Sequence, residues 1–448
     1  MTEVVVRGGT VITPDGGRRA DVAIENGRIV EIGTDLAAAL EEIDATGLAV
    51  LPAMIDVHLH FNEPGRTEWE GAASGSRALA AGGGTLFFDM PLNSTPCTIN
   101  PREFDRKRAA LEAASVTDFA MWGGLVPGSV AEMAEMAGRG VVGFKAFMCD
   151  SGLPEFPRAD DATLLDGLKE AATLGLPVAV HAESQELTAA LARRATGRSV
   201  RDFLCSRPMV AELEAIQRAL LFAGDTGARL HIVHISSGRG VAMAAEARAR
   251  GVDVSIETCA HYLWFTEDDV ERLGAVAKCA PPLRPAADRQ ALWDELVRGR
   301  VDIVSSDHSP TEPAMKRGDF MAAWGGIAGV QSTLPVLLDR GCHARGLPLT
   351  RIAELVATGP ARRFRIAGRG SLVAGNDADL VLVDPAATFT LKESDLHQRH
   401  KASPYVGASF RGKVRRTIRR GETIFLDGRI TAQTKGHLVR PSRAAEAR

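Results

Sequence analysis

The middle of the chain alternates short apolar segments with segments of helical periodicity, and this alternation constrains the fold more than any other feature. Eight β-type segments span residues 48–61, 84–90, 119–126, 141–148, 177–183, 229–236, 252–259 and 301–309. Segments of helical period lie between them, for example those that begin at Pro101, Asp161, Gly238 and Ala286. Strands that alternate with helices form parallel sheets. Eight such units, with no G-x-G-x-x-G motif after the first strand, favour an α/β fold of the (β/α)8 TIM-barrel type over an open, doubly wound sheet.

Both ends of the chain carry a different pattern, in which short β-type runs are separated by tight turns. The N-terminal runs are interrupted by Pro-Asp-Gly-Gly and by Asn-Gly, which is a strong hairpin signal. Similar runs with Gly-Glu and Asp-Gly turns return near the C terminus. We therefore expect residues 1–52 and 366–435 to pair into one small β-sandwich domain, with the barrel inserted as residues 53–365. Residues 436–448 are expected to form a mobile tail.

Composition and charge exclude several classes of partner. The 448 residues include 53 Lys and Arg against 56 Asp and Glu, which gives a formal net charge of -3, and the basic residues are scattered. Because a nucleic-acid-binding surface needs clustered cations, we expect no nucleic-acid partner. The chain has no apolar run of about 20 residues and no secretory-type N terminus, so we expect no membrane association and predict a cytoplasmic protein.

The cysteines give no sign of a disulfide framework or of a zinc knuckle. There are six of them, and no two form a CxxC pair: Cys97, Cys149, Cys205, Cys259, Cys279 and Cys342. A chain of this length can fold without covalent links. We therefore expect mostly buried thiols.

Metal-ligand side chains fall at the carboxyl ends of five predicted barrel strands. His58 and His60 end the first strand, and because they are two residues apart they point to the same face and can meet one ion. The others are Lys145 on strand four, His181 on strand five, His234 on strand six and Asp307 on strand eight. Barrel enzymes place their catalytic groups at this end of the strands. The pattern therefore predicts a metal site at one mouth of the barrel.

Three further histidines are assigned other roles by their positions. His231 lies near the start of its strand, so we expect a packed histidine rather than a ligand. His308 follows Asp307 directly and should point to the opposite face. His261 lies beyond strand seven, where it could contact a ligand residue or a substrate.

Lys145 differs from the other candidates because a protonated amine has no lone pair to donate to a cation. One interpretation is a buried lysine paired with an acid. The other is a carbamate formed with carbon dioxide, N6-carboxylysine, whose two oxygens would bridge two metal ions. Burial lowers the pKa of a lysine, and two cations would hold the anionic product.

Several motifs make the chain resemble a known family. They are DVHLHFNEPGRTEWEG, GTLFFDMPLNSTP, VVGFKAFMCDSGLPEFP, VHAES, VHISS, SSDHSP and WGGIAGVQ. These motifs resemble those of the cyclic amidohydrolases, and most closely those of the allantoinase branch. The resemblance covers nearly the whole chain.

The resemblance implies a binuclear metal centre. The two histidines of the first strand and Asp307 would hold one ion. His181 and His234 would hold the other, with carbamylated Lys145 as the bridge. Zinc is the usual ion, and cobalt and manganese are alternatives. Asp307 would also act as the catalytic residue, first as base and then as acid toward the departing ring nitrogen. By analogy with the family, the chain would assemble as a homotetramer.

The choice of ring substrate depends on fewer residues. Dihydroorotases resemble H-x-H-x-R-E-P-G at the first strand, where the arginine meets a substrate carboxylate, but here that position is Asn62. Hydantoinases carry an acidic residue there and a tyrosine five positions after the lysine, where this chain has Asp150. A neutral, amide-rich ring such as allantoin suits Asn62 and Asn93, because amide side chains both donate and accept hydrogen bonds. The implied reaction gives allantoate, a step of purine catabolism.

Other contacts to the small-molecule substrate are expected from loops at the same mouth. Four residues could present hydroxyl or backbone groups to the ring, namely Ser151, Gly152, Trp324 and Gly325. Arg66 and Glu70 are expected to hold loops together instead.

Three alternatives remain open. The chain could be a dihydroorotase, or a hydantoinase (dihydropyrimidinase), acting on a related ring. It could be a catalytically silent barrel that serves as a scaffold, although such a chain would be expected to lose ligands and this one keeps all six. It could be a nucleobase deaminase with a mononuclear site, which would not need Lys145. Metal stoichiometry separates the binuclear hydrolase from the last two.

Overall fold

The structure is a computed structural model that describes residues 2–442. Its N-terminal segment forms five short strands. They are β1 (Val4–Thr13), β2 (Gly16–Glu25), β3 (Arg28–Gly33), β4 (Glu41–Asp44) and β5 (Ala49–Pro52). The turn between β2 and β3 is formed by Asn26 and Gly27, with φ angles of 50° and 72°. Two successive left-handed residues form the turn type that Asn-Gly favours in hairpins. The predicted hairpin is therefore present.

The barrel follows, and its strands pair only in parallel. They are β6 (Met54–Leu59), β7 (Gly84–Asp89), β8 (Asp118–Met121), β9 (Gly123–Gly124), β10 (Phe144–Phe147), β11 (Pro177–His181), β12 (Arg229–Ile232), β13 (Val254–Cys259) and β14 (Ile303–Ser305). β8 and β9 are two pieces of the third predicted strand, interrupted at Trp122. A bridge between Leu59 and His308 closes the ring from β14 back to β6. The predicted eight-stranded barrel is confirmed.

Helices connect the barrel strands and cover the outside. They are α1 (Ala72–Ala81), α2 (Pro101–Ala114), α3 (Met133–Arg139), α4 (Asp161–Leu174), α5 (Gln185–Arg194), α6 (Val200–Ser206), α7 (Met209–Thr226), α8 (Gly238–Ala249), α9 (Ala260–Trp264), α10 (Glu267–Leu273), α11 (Ala286–Val297), α12 (Thr333–Val336), α13 (Leu349–Ala353) and α14 (Gly359–Arg363). The four helices predicted by periodicity are α2, α4, α8 and α11. Among the described residues, no helix combines the length and the apolar character that a bilayer crossing requires.

The C-terminal strands return to the N-terminal ones. They are β15 (Leu380–Thr390), β16 (Ser409–Arg419), β17 (Glu422–Leu426) and β18 (Arg429–Ile430). One nine-stranded sheet results, in the order β18-β17-β16-β15-β5-β1-β2-β3, with β4 also paired to β1. Apolar side chains from both ends share one core, for example Val22 and Ile24 with Leu380 and Ile418. The matching patterns at the two ends thus correspond to strands of one sheet.

Residues 436–442, part of the segment for which a mobile tail is predicted, form backbone hydrogen bonds with the barrel. The N–H of Gly436 donates to the carbonyl of Ser115 at 2.9 Å, and the Phe119 backbone is bonded to His437 and Val439 at 3.1 and 2.7 Å. The first residues of β8 pair with β7 on one side only, so their other backbone groups need partners, and the tail supplies them. Residues 443–448 lie outside the described part of the chain.

The cysteines are free thiols, as expected. Four of them are buried, Cys97, Cys149, Cys259 and Cys279. Cys205 is exposed and Cys342 is partly exposed. The expectation of mostly buried thiols is confirmed.

Candidate active site

The six predicted ligands all lie at the carboxyl mouth of the barrel, and all are buried. Their relative exposures lie between 1% and 9%: His58, His60, Lys145, His181, His234 and Asp307. Two of them differ from the expected strand-end position, because β12 ends at Ile232 and β14 at Ser305, two residues before the ligand in each case. Both ligands beyond these ends, His234 and Asp307, have left-handed backbone, with φ of 40° and 42°.

Three of the ligand-type atoms converge in a first cluster. Nε2 of His58 and Nε2 of His60 lie 3.3 and 3.4 Å from the same carboxylate oxygen of Asp307. Burial alone would raise the pKa of Asp307, but the two histidines hold it at about 2. Burial lowers the pKa of His60, against the opposing effect of Asp307. The charge states, a carboxylate beside a neutral imidazole, are those that bind a metal ion.

A second cluster lies beside the first. Nδ1 of His181 and Nε2 of His234 are 2.9 Å apart, and the ring of His234 lies 5.3 Å from that of His58. Burial lowers the pKa of both His181 and His234, so their imidazoles are neutral near pH 7. The cluster therefore offers two nitrogen lone pairs within reach of the first cluster.

Lys145 projects into the same buried space without a partner. Among the described residues, its Nζ has no hydrogen bond and no ion pair, and it lies 5.1 Å from the centre of the Phe147 ring. Burial lowers its pKa to about 8, although Asp307 and Glu257 act in the opposite direction. A buried lysine paired with an acid would have such a partner. An unpartnered amine that loses its proton easily fits the carbamate interpretation.

Glu257, on β13, is a site residue that the sequence analysis missed. One of its carboxylate oxygens lies 2.8 Å from Nδ1 of His58, and the other lies 2.9 Å from Nε2 of His231. These contacts hold the pKa of Glu257 well below its usual value despite complete burial. A carboxylate behind a ligand histidine fixes the ring orientation and leaves the other nitrogen for the metal. The available signal was an acidic residue in an otherwise uncharged strand.

Glu183 plays the same part behind the second cluster and was also missed. Its carboxylate lies 2.8 Å from Nε2 of His181 and forms an ion pair with Arg207. Burial would raise the pKa of Glu183, but Arg207 and His181 bring it down to about 2. Each cluster thus has one ionised glutamate that orients a histidine.

The three other histidines occupy the positions expected of them. His231 is packed in the barrel, with Nδ1 2.8 Å from the Ser255 hydroxyl. His308 points away from the clusters, because its Nδ1 accepts the N–H of Gly329 at 3.2 Å. His261 is buried with Nε2 unpartnered, and burial lowers its pKa to about 4. It also contributes to the low pKa of Asp307, so it lies near the first cluster.

Asn62 and Asn93 lie next to the loop that follows β14. Nδ2 of Asn62 donates to the carbonyl of Pro310 at 3.3 Å, and Nδ2 of Asn93 donates to the Ser309 hydroxyl at 3.4 Å. Oδ1 of Asn62 is buried and has no hydrogen-bond partner in the described part of the chain. Both residues have left-handed backbone, with φ of 62° and 65°. This conformation is unfavourable outside glycine, and asparagine tolerates it better than most residues.

The remaining substrate candidates offer fewer free groups. The Ser151 hydroxyl donates to the Phe156 carbonyl at 2.6 Å, so it serves its own loop and only its backbone is left for a ligand. Gly152 and Gly325 have open space where a side chain would lie. Trp324 packs on Trp69 and keeps its indole N–H buried without a partner.

Arg66 and Glu70 connect loops, as expected. Arg66 forms an ion pair with Glu155. A carboxylate oxygen of Glu70 accepts the backbone N–H of Arg399 at 3.0 Å. Neither residue is needed to explain the ligand clusters.

Comparison with known proteins extends the likeness to the whole chain. The model of the Amidohydrolase family matches residues 49–424. The allantoinase of Solibacter usitatus is 63% identical over 445 residues, which cover 98% of this chain and 97% of that protein. The allantoinase of Rubrobacter xylanophilus is 58% identical over 446 residues, 98% of each chain. The solved L-hydantoinase (dihydropyrimidinase) from Arthrobacter aurescens has a TM-score of 0.95 and 32% identity, with 98% of this chain and 100% of that chain covered. With this barrel, these candidate ligands at its mouth and these full-length relatives, the chain belongs to the amidohydrolase family.

Proposed function

We propose that the chain hydrolyses the ring amide of allantoin and releases allantoate. Asn62 carries this proposal, because it places a neutral amide two residues after His60, with a buried oxygen that has no partner among the described residues. An amide oxygen in that position can accept a hydrogen bond from a ring or ureido N–H, and it offers no charge to a carboxylate-bearing ring. The relatives of highest identity described above are allantoinases, which supports the same substrate.

The ligand clusters fit a pair of divalent metal ions, for which we propose zinc. The first ion would be held by His58, His60 and Asp307. The second would be held by His181 and His234. When bound, such a pair polarises a carbonyl oxygen and lowers the pKa of a water molecule toward neutrality. The convergence of the candidate ligand atoms within each cluster supports this assignment. The two orienting glutamates support it as well.

Lys145 would join the two clusters as a carbamate. Its neutral amine attacks carbon dioxide, a bond forms between Nζ and the carbon, and the nitrogen releases a proton to solvent. The product carries one negative charge and two oxygens, so it can face both clusters at once. The low pKa of Lys145 supports this step, because it makes the neutral amine available near pH 8.

Asp307 would move the proton during hydrolysis. Its carboxylate is ionised at neutral pH, because its pKa is about 2, so it can accept a proton from the attacking water. The ring nitrogen needs a proton when the amide bond breaks, and the same carboxyl group can then supply it. Asp307 thus acts first as base and then as acid.

A substrate panel tests the proposal. Purified protein loaded with zinc should give its highest kcat/KM with allantoin and be nearly inert on dihydroorotate, with allantoate as the product. The Asp307→Asn variant, purified in the same way, controls for contaminating hydrolases. A higher kcat/KM for dihydroorotate or for unsubstituted hydantoin would overturn the assignment.

The homotetramer and the cytoplasmic location stay predictions. Light scattering on the purified protein tests the first, with four chains per particle expected.

A further inference from the structure

Two loops at the carboxyl mouth pack against each other and carry Asn62 and Asn93. We call them the asparagine wall, defined as residues 61–66 after β6 and residues 90–96 after β7. The Thr95 N–H donates to the Pro64 carbonyl at 2.8 Å. At Gly65 (φ 84°), a Cβ would lie 2.0 Å from the Thr95 carbonyl oxygen, so the loops approach too closely for any other residue. A shift of one loop therefore shifts the other.

A buried ion pair lies behind this wall. Nζ of Lys107, in the middle of α2, is 2.6 Å from Oδ2 of Asp89, the last residue of β7. The two side chains are only 1% and 0% exposed. Neither belongs to the ligand clusters or to the proposed chemistry.

The pair holds both loops of the wall. The other oxygen of Asp89 accepts the N–H of Phe61 at 2.9 Å. Lys107 donates to the Met90 carbonyl at 2.6 Å and to the Ser94 hydroxyl at 3.4 Å. Phe61 directly precedes one asparagine of the wall and Ser94 directly follows the other. One ion pair therefore contacts the backbone of the residue before Asn62 and the side chain of the residue after Asn93.

Stability alone does not account for such a pair. A buried ion pair is often no more stabilising than apolar side chains of the same volume, because both charges lose their hydration. Left-handed asparagine backbone, in contrast, persists only where the surrounding structure holds it. The Asp89–Lys107 pair restrains the residue next to each asparagine.

We propose that Asp89 and Lys107 are positioning residues that set the ring selectivity of the site by fixing Asn62 and Asn93. This inference rests on the proposed function in one respect, since it assumes that the two asparagines face the ring.

The test is the double variant Asp89→Asn/Lys107→Met. It removes both charges together, so neither is left buried alone, and the amide oxygen introduced at position 89 can still accept the Phe61 N–H. The readout is the ratio of kcat/KM for the best ring to kcat/KM for unsubstituted dihydrouracil, with bound metal counted. We expect the ratio to fall about tenfold, mainly through a higher KM for the best ring, while the metal content stays unchanged.

Two further variants keep the test decisive. Asp118→Asn is the matched control, because it removes an equally buried carboxylate from the opposite end of a neighbouring barrel strand, and it should leave the ratio unchanged. If the double variant does not fold, Asp89→Asn/Lys107→Gln, which also leaves neither charge buried alone and keeps a donor at position 107, should lower the ratio by a smaller factor. An unchanged ratio in the folded Asp89 variants, or an equal loss on every ring, would overturn the proposal.

The result is separable from that of the substrate panel. The ratio is defined with whichever ring the wild-type protein hydrolyses best. If that ring is not allantoin, the proposed function fails, whereas a lowered ratio in the double variant still supports the positioning role.

Discussion

Lys145 at the carboxyl mouth of the barrel and Asp118 at its amino end are buried charged groups in opposite surroundings. At the carboxyl mouth, buried polar atoms lack partners within the described chain, among them Nζ of Lys145 and Oδ1 of Asn62. At the amino end, the buried carboxylate of Asp118 accepts a hydrogen bond from Arg369 at 2.6 Å, pairs with Arg420 and accepts the backbone N–H of His437 at 3.1 Å. The groups that satisfy Asp118 come from the C-terminal segments.

This difference indicates which buried groups stabilise the fold and which take part in binding or catalysis. An unpartnered buried polar atom is unfavourable in the protein alone, so its presence in a folded site points to a ligand that completes it. A carboxylate surrounded by guanidinium groups, in contrast, ties two parts of the chain together. Substitutions at the mouth should therefore impair activity more than folding, and substitutions at the amino end should do the reverse.

Lys145→Ala should give the largest loss of activity. We expect kcat/KM for allantoin to fall by on the order of 10³-fold or more, because the proposed bridge between the two proposed ion sites would be lost. The metal-free protein should lose only the packing of the lysine stem, since the amine that is removed has no partner among the described residues. Steady-state kinetics, metal analysis and thermal unfolding measure the three effects.

Short carboxylates such as acetate or propionate should partly restore activity to Lys145→Ala, because they can take the place of the bridging anion. The exposed Lys169→Ala, on α4, is the control and should behave as wild type. An inactive variant that keeps both ions and does not respond to carboxylates would contradict the carbamate.

Glu257→Gln should give the next largest effect. The carboxylate accepts from both His58 and His231, whereas an amide has only one accepting atom, so one imidazole would lose its orientation. We expect zinc affinity to fall by about 10- to 100-fold, measured by competition with a chelator. Glu295→Gln, a buried glutamate on α11, is the control. Equal zinc affinities in the two variants would contradict the proposal that Glu257 orients the imidazoles.

Asn62→Gly should lower kcat/KM for allantoin by roughly tenfold, the usual effect of losing a hydrogen bond of about 1 kcal/mol or a little more. Glycine keeps the left-handed backbone available, so the effect is that of the missing amide. Asn26→Gly, which makes the same change at a left-handed asparagine in the β2–β3 turn, should leave kcat/KM unchanged. An effect of the same size on unsubstituted hydantoin would argue against a role in recognising the ureido group.

Asp118→Asn should have the smallest effect on activity and a clear effect on stability. Burial would raise the pKa of Asp118, but Arg369 and Arg420 hold it below its usual value of 3.8. A lowered pKa in the folded state stabilises the fold above the unfolded-state value, and this contribution is lost as the pH falls through the folded-state pKa. We expect a difference of about 3 kcal/mol in the free energy of unfolding at pH 7.

The difference in unfolding free energy between wild type and Asp118→Asn should stay constant from pH 7 down to about pH 5 and shrink below pH 4. Urea unfolding at a series of pH values measures it. A difference that persists unchanged at pH 3 would show that the ion pairs are not its source.

The sequence was sufficient to predict the barrel and to place the six candidate ligands at its carboxyl mouth, because each of these predictions depends on a local pattern. Alternating strands and helices predict the barrel, and a ligand such as His181 can be placed at a strand end from the length of the apolar run. The shortened strands before His234 and Asp307 could not be predicted, because a left-handed turn at a non-glycine residue is set by tertiary packing.

Other features depend on partners that are distant in the sequence. Glu257 contacts His58, which lies 199 positions away in the sequence, and the sequence around Glu257 does not predict this contact. The contact of the tail with the barrel is of the same kind, because Gly436 fits against Thr117 only since it lacks a side chain. Asp89 and Lys107 look like an ordinary strand end and an ordinary helical lysine until the fold brings them together.

The number of metal ions per chain tests most directly the claim that the buried groups at the carboxyl mouth, unlike those at the amino end, form a metal site. Wild-type protein reconstituted with zinc in bicarbonate buffer should hold two ions per chain, as measured by elemental mass spectrometry. Its activity should rise in proportion to the amount of bound zinc. A fully active preparation that holds only one ion per chain would contradict a carbamate-bridged pair at the carboxyl mouth.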